Sequence, residues 1–354
     1  MKNKPAEPKD SDASRNYVHR FQHHNRVLES SYIVTLENYY NKKYGQIVSP
    51  IAILKTCAVV SSQFKDNVRL WILNVAPSGQ LKSHTSDEQE NIFSKDRLIY
   101  AGSDFTIHSI EREFHGNLDK KCVLVNDFAL LLSSKAERTR QRLVNALAEL
   151  YSEGVYIYSD FQKTLTIKGK FSLIANITPH MLNRNRNDLL GNTFLDRCLT
   201  VYYKLTNKEM SEGNLQREER NKLKIGKFKQ KLHEKDITIS KEDIVRFDEY
   251  AKRWRVLGGY ATTSRLFDMI KSAAIAYAIL LDHKSIGEDE YSFLNVIEHY
   301  VRSPFEPSKT QIIQLADQGR SIKDICLIMN QDYKTFRPYV SRVLKEARLR
   351  GVLE

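Results

Sequence analysis

The sequence predicts an α/β fold: a parallel sheet covered by helices on both faces, a charged helical region after it, and a small three-helix module at the C-terminus. Three observations carry this reading. Apolar runs such as Leu70-Trp71-Ile72-Leu73 and Cys122-Val123-Leu124-Val125 end in polar residues and are separated by stretches of helical periodicity. From Lys208 the strand formers give way to Lys, Arg and Glu. Beyond Ser303-Pro304 three short helical patterns close the chain.

With 354 residues, 41% hydrophobic and 28% charged, the chain has room for several domains and a well-buried core. Its longest apolar run, Ala273 to Leu281, stops at Asp282, well short of the roughly 20 residues a membrane helix needs. The N-terminus has no apolar signal region, so a cytoplasmic or nucleoid-associated protein without a membrane partner is expected. Cys57, Cys122, Cys198 and Cys326 lack paired C-x-x-C spacing, against a zinc ribbon or a disulfide framework, and their apolar neighbours make them buried thiols. A net charge of +12 favours a polyanionic partner, nucleic acid first, because Lys and Arg release counterions condensed on phosphate.

The polar residues 1–30, with Pro5 and Pro8, read as a disordered basic tail in which His19, His23 and His24 are solvated. Residues 31–207 read as the α/β core. Two helical patterns occupy Tyr32 to Val60, the first ending near Gly45 and the second starting at Ser49-Pro50, where proline is tolerated in the first turn. A strand from Arg69 to Val75 precedes the loop Ala76-Pro77-Ser78-Gly79-Gln80-Leu81-Lys82-Ser83, and a helix is expected from Thr85 to about Phe93. Strands follow at Arg97 to Ala101 and Lys121 to Asp127, then a helix from Ala136 to Tyr151 with Leu143, Ala146, Leu147 and Leu150 on one face. Val155 to Tyr158 and Leu165 to Lys168 read as a β-hairpin with Lys163 in its turn. Strands Phe171 to Asn176 and Leu199 to Leu205 complete the sheet.

Residues 208–302 read as a helical subdomain: exposed charged helices with linkers to Glu249, a break at Gly258-Gly259, then an apolar helix from Thr263-Ser264 through Leu281. After a linker at 303–307 come helices from Thr310 to Asp317, from Ser321 to Met329 and from Tyr333 to Arg348, with Gly351-Val352-Leu353 as a terminal strand. A tight turn between the second and third helices makes this a winged-helix pattern over residues 303–354. Lys334, Arg337, Arg342 and Lys345 on the third helix suit DNA phosphate.

The chemistry concentrates at strand ends. Ala76 to Ser83 falls in the register of G-x-x-x-x-G-K-[ST], a loop whose backbone N–H groups cradle phosphates while its Lys binds outer phosphates and its hydroxyl meets Mg²⁺. Ala76 and Leu81 replace the two pattern glycines, and Gly79 lies inside the loop. Val123-Leu124-Val125-Asn126-Asp127 has the form of an acid-tipped strand. In one register Asn126 replaces the metal acid and Asp127 is the water-orienting acid; shifted by one, Asp127 is the metal acid and Phe128 replaces the base. Asn176 is an amide at the end of a third strand.

Taken in this order, the chain from about Leu54 to its C-terminus resembles the AAA+ ATPases, and among them the helicase module of the MCM type. The resemblance implies an AAA+ P-loop parallel sheet with a helical lid and a trailing winged helix, binding ATP and Mg²⁺. It makes Ala76 to Ser83 Walker A, with Ser83 and Asp127 toward the metal, and Asn176 the sensor-1 amide that positions the attacking water. It makes Arg197 in Phe-Leu-Asp-Arg an arginine finger supplied to a neighbouring subunit, and Arg265 in Thr-Thr-Ser-Arg-Leu the sensor-2 arginine. Lys163 in the hairpin would face DNA in a central channel. The function implied is a DNA-dependent ATPase assembled as a homo-oligomeric ring, a helicase or helicase-associated motor working with replication proteins, in the setting of a mobile element. The alternative is a scaffold or helicase loader that has kept the fold and DNA binding and lost catalysis.

Overall fold

The computed structural model describes residues 31–102, 105–133, 137–159, 164–185, 189, 194–206, 209–210, 222–301, 309–317, 319–329 and 331–349. The expected tail, the hairpin turn that holds Lys163, the linker at 303–307 and the terminal strand Gly351-Val352-Leu353 lie outside these residues.

Five parallel strands form the sheet: β1 (Trp71–Val75), β2 (Leu98–Tyr100), β3 (Cys122–Val125), β6 (Ser172–Ile177) and β7 (Leu199–Tyr202), in the order β2-β3-β6-β1-β7. β4 (Val155–Ser159) and β5 (Thr164–Lys168) pair antiparallel as the expected hairpin. Alternate residues of each strand feed two separate cores, so both faces of the sheet are covered. Ile72, Leu124, Ile174 and Val201 join one core; Trp71, Leu73, Val123, Leu173 and Ala175 join the other. The second core centres on Trp71, whose Nε1 donates to the Phe171 carbonyl at 2.7 Å and whose ring packs on Tyr151, Phe171 and Phe194.

Helices α1 (Tyr32–Tyr44) and α2 (Ser49–Ser61) form where the apolar periodicity placed them, and Gly45 ends the first with φ 79°. α2 is buried from Ile51 to Ser61, as a helix apolar on all sides must be, between the sheet and neighbouring helices. Past the first loop, α3 (Lys82–Asp87) and α4 (Gln89–Ile92) follow almost without a break, since Glu88 keeps helical dihedrals. Two helices beyond those expected are present: α5 (Ile107–Phe114), which opens on a reciprocal Thr106–Ser109 capping box, and the short α6 (Phe128–Ser133). α7 (Glu137–Glu153) matches its expected span closely, and α8 (Pro179–Arg184) starts on a proline.

One expectation is corrected. Residues 223–233 are not exposed helix but extended chain lying against the first core. Leu223, Ile225, Phe228 and Leu232 turn inward between exposed Lys224, Lys227, Lys229 and Lys231, an alternation that shifts by one residue at the exposed Gly226-Lys227. Phe228 N donates to the Ile92 carbonyl at 2.8 Å, and its ring meets Tyr32 at 5.0 Å. Three helices then complete this region: α9 (Lys241–Gly258), α10 (Thr263–Leu281) and α11 (Glu288–Glu298). α12 (Lys309–Asp317), α13 (Ile322–Ile328) and α14 (Tyr333–Leu349) share a small core with Val256 of α9.

Candidate functional site

Because every strand of the sheet is parallel, the C-terminal ends of β1, β3 and β6 lie at one edge. The register sets Asn74 beside Asn176, and Val125 beside Ala175. The loop 76–81, Asn126-Asp127 and Asn176 therefore converge where a parallel α/β sheet binds its ligands.

The loop is held by its own residues. Gly79 has φ 75° with open space around it, so the dihedral and not crowding calls for glycine there. Leu81 adopts φ 61° and ψ 10°, the left-handed conformation that the missing glycine would take freely. Its half-buried side chain packs on the first core and offsets part of that strain. Ala76 is buried, Pro77 is half-buried, and Ser78 and Gly79 are exposed. Gln80 points away from the others: its amide bridges both polar backbone atoms of Leu205, at 2.8 and 3.3 Å, while its carbonyl accepts from Tyr203 Oη. It anchors the loop to the chain leaving β7.

Lys82 Nζ donates to the carbonyls of Ala76 and Pro77, both at 2.6 Å, curling back over the loop. Burial lowers its pKa, and the nearby Asp127 carboxylate partly offsets that. Ser83 Oγ reaches toward the Asn126 carbonyl at 3.5 Å, which brings the loop to the end of β3. Asp127 is exposed, and its Oδ1 caps α6 by accepting from Leu130 N at 3.0 Å. Asn126 Nδ2 donates to Asp87 Oδ1 at 2.7 Å, so an acid on α3 also borders this edge.

Behind the loop lies a buried polar cluster that the sequence reading missed. Lys55 of α2, fully buried, donates to the Lys82 carbonyl (2.8 Å), Thr85 Oγ1 (2.8 Å), Ser86 Oγ (3.0 Å) and Asn176 Oδ1 (3.1 Å). Burial, then the charge of Lys82, hold its pKa well below the ordinary lysine value, with Asp87 opposing. The available signal was a lone lysine inside Ile51-Ala-Ile-Leu-Lys-Thr-Cys-Ala-Val-Val60. Asn176 Oδ1 also accepts from Asn74 Nδ2 at 3.0 Å, while Asn176 Nδ2 donates to Ser86 Oγ (2.9 Å) and faces Asn126 Oδ1 (3.4 Å).

The two arginines are elsewhere. Arg197 precedes β7 and so lies at the opposite edge, roughly 20 Å along the strands from the loop. It is buried, and its Nη2 donates to Ser152 Oγ at 3.2 Å. Arg265, in the first turn of α10, is half-buried and close enough that its charge, after burial, lowers the Arg197 pKa. Two backbone ties bring them together: Ala261 N donates to Asp196 Oδ1 at 3.1 Å and Thr200 N to Tyr260 Oη at 2.7 Å. In the C-terminal module Lys334, Arg337, Arg342 and Lys345 are all exposed along α14. Arg337 stacks on Tyr333, and Arg342 on Tyr339.

Among the described residues no cluster of three or more His, Cys, Asp or Glu forms a metal site, and no helix is long and apolar enough to cross a membrane. The described cysteines are buried thiols, as expected. Neither a family model nor a curated protein matches the chain.

Proposed function

We infer that this chain is a nucleotide-binding AAA+ protein of the MCM-helicase type that works on DNA. The observation that carries the reading is the sheet order β2-β3-β6-β1-β7, with the loop leaving β1, the Asn126-Asp127 tip on β3 and the Asn176 amide on β6 between them. The residues suit a magnesium nucleotide. Gly79 and Leu81 bend the loop with left-handed dihedrals, the conformation that turns successive N–H groups toward an anion. Lys82 exchanges its two carbonyl contacts for phosphate oxygens. Ser83 and Asp127 supply the hydroxyl and the carboxylate; magnesium typically takes one or two carboxylates and completes its shell with phosphate and water. Bound Mg²⁺ would neutralise charge on the outer phosphates.

Arg197 lies at the end of the sheet away from the loop of its own chain, with the Arg265 charge beside it, so in this reading both serve the loop of a second copy, and the site is completed in a ring. Arg197 must exchange its Ser152 contact to do so. The exposed cations of α14, taken as the recognition helix of a winged domain, provide the DNA contacts in this reading. The setting proposed is replication of a mobile element, alongside other replication proteins.

The test is DNA-stimulated ATP turnover by the wild-type chain, Lys82→Ala and Arg197→Ala. Both variants are expected to lower kcat at least tenfold, and mixing the two is expected to restore part of the activity, because a mixed ring contains intact sites. Turnover unaffected by either substitution contradicts the site assignment. The second reading, a scaffold or loader without hydrolysis, draws support from Asp127 being the lone acid of the Asn126-Asp127 strand tip, and it requires DNA binding with no turnover.

A further inference from the structure

Lys55 is not one of the residues assigned to phosphate or magnesium, and its surroundings are unusual for a lysine. Its ammonium lies in the interior against four oxygens, one carbonyl, two hydroxyls and one amide, with no carboxylate among these partners. The hydroxyls are committed as acceptors toward it. Thr85 Oγ1 directs its own proton to the Lys82 carbonyl (2.9 Å) or the Leu81 carbonyl (3.2 Å), and Ser86 Oγ directs its proton to the Lys82 carbonyl (3.2 Å). An ammonium, which offers only donors, suits that arrangement, although burying it is unfavourable.

The consequence falls on Asn176. An amide at a site edge can face it with either its oxygen or its nitrogen, and rotation by half a turn exchanges a donor for an acceptor. Lys55 donates to Asn176 Oδ1 and has no acceptor to offer as an ammonium, so the flipped amide would set its NH₂ against it; Asn74, an amide itself with an unpartnered Oδ1, can face either end. The nitrogen end is therefore held toward Ser86 and Asn126, on the side of the loop. Lys55 also grips the first turn after the loop through the Lys82 carbonyl, tying that turn to the same amide.

We propose that Lys55 is a positioning residue: it holds Asn176 with its Nδ2 on the loop side, where the hydrogen that now makes the long 3.4 Å contact to Asn126 Oδ1 turns to the terminal phosphate of a bound nucleoside triphosphate, and so sets the preference for triphosphate over diphosphate. This rests on the nucleotide-site reading above. Two clean alternatives differ in what they move. A merely structural Lys55 would support the loop and act on both nucleotides alike, whereas an orienting Lys55 acts on the terminal phosphate through Asn176.

The experiment is a double-mutant cycle on the full chain, with Lys55→Met, Asn176→Ala and the double variant. Calorimetry reads affinities for MgADP and for the Mg²⁺ complex of the non-hydrolysable analogue adenylyl imidodiphosphate. Each single variant is expected to reduce the analogue-over-ADP preference about tenfold, the scale of one charge-assisted hydrogen bond, and the double variant to reduce it no further. Losses that multiply in the double variant, or a Lys55→Met that weakens both nucleotides equally, overturn the proposal. If thermal unfolding shows that Lys55→Met does not fold, Lys55→Gln takes its place, since a side-chain amide can present an oxygen as readily as a nitrogen and no longer dictates which end of Asn176 it faces; an unchanged preference then overturns the proposal. A wild-type chain that binds neither nucleotide overturns the nucleotide-site reading itself, and the role of Lys55 with it. A chain that binds both but gives an additive cycle overturns the role of Lys55 alone.

Discussion

Leu81 offers a direct view of how a loop lacking its glycine keeps its shape. At φ 61° and ψ 10° its Cβ crowds the following carbonyl, which costs an L-residue about 1–2 kcal/mol. Leu81→Gly and Leu81→Ala delete nearly the same half-buried side chain, so the loss of packing largely cancels when the two are compared. What remains is the dihedral. At an ordinary position glycine is the less stable of the two by about 0.5–1 kcal/mol, through its greater freedom in the unfolded chain. At Leu81 relief of the crowding outweighs that, and Leu81→Gly is expected to be more stable than Leu81→Ala by about 1 kcal/mol. Urea unfolding of the pair, with equal m-values, reads this as a higher midpoint for the glycine variant. In a domain of this size the matching difference in Tm is about 2–4 °C. An alanine variant as stable as the glycine variant, or more so, would refute the left-handed loop and remove the support it gives to phosphate binding.

Further outcomes follow from the same contacts. Glu37, which accepts from Tyr277 Oη at 2.9 Å, has its pKa raised by burial to about 7, with Asp289 adding to the rise. Its raised value means that its contribution to stability is present below its unfolded value and lost as pH rises through about 7. Wild type should therefore lose about 2 kcal/mol relative to Glu37→Gln between pH 5 and pH 8, read by urea unfolding at both; parallel profiles would exclude it. Glu88 is buried and binds Lys43 at 2.6 Å, together with Tyr39, Tyr44 and Asn91. Glu88→Ala should destabilise the fold by about 3 kcal/mol, and a change under 1 kcal/mol would show that the cluster is not cooperative. For the α14 cations, DNA affinity should fall steeply with salt, and Arg337→Ala should reduce the log–log slope by about 1; an unchanged slope places the DNA contact elsewhere.

The sheet was legible because buried parallel strands are continuous apolar runs, and each one expected, from Trp71–Val75 to Leu199–Tyr202, is present. Their spatial order was not, because nothing local in the sequence says that β6 inserts between β1 and β3. The extended path of residues 223–233 is hidden because its lysines dominate the composition, while the inward residues Leu223, Ile225, Phe228 and Leu232 keep no regular helical or strand period, with a shift at Gly226-Lys227. Lys55 went unseen for a related reason. The apolar helix around it is so strongly patterned that one lysine reads as a tolerated exception, and only the fold brings it to Asn176, 121 residues away. The place of Arg197 at the far end from the loop followed from its position ahead of the Leu199 strand in a parallel sheet, whereas only the fold brings Arg265 beside it.

Calorimetric titration of the wild-type chain and Lys82→Ala with MgATP, and with ATP in the absence of Mg²⁺, tests nucleotide binding at its root. Saturable binding that weakens without Mg²⁺ and drops at least tenfold in Lys82→Ala is the expected result. Absence of binding, or equal binding by both proteins, contradicts a phosphate site at residues 76–83.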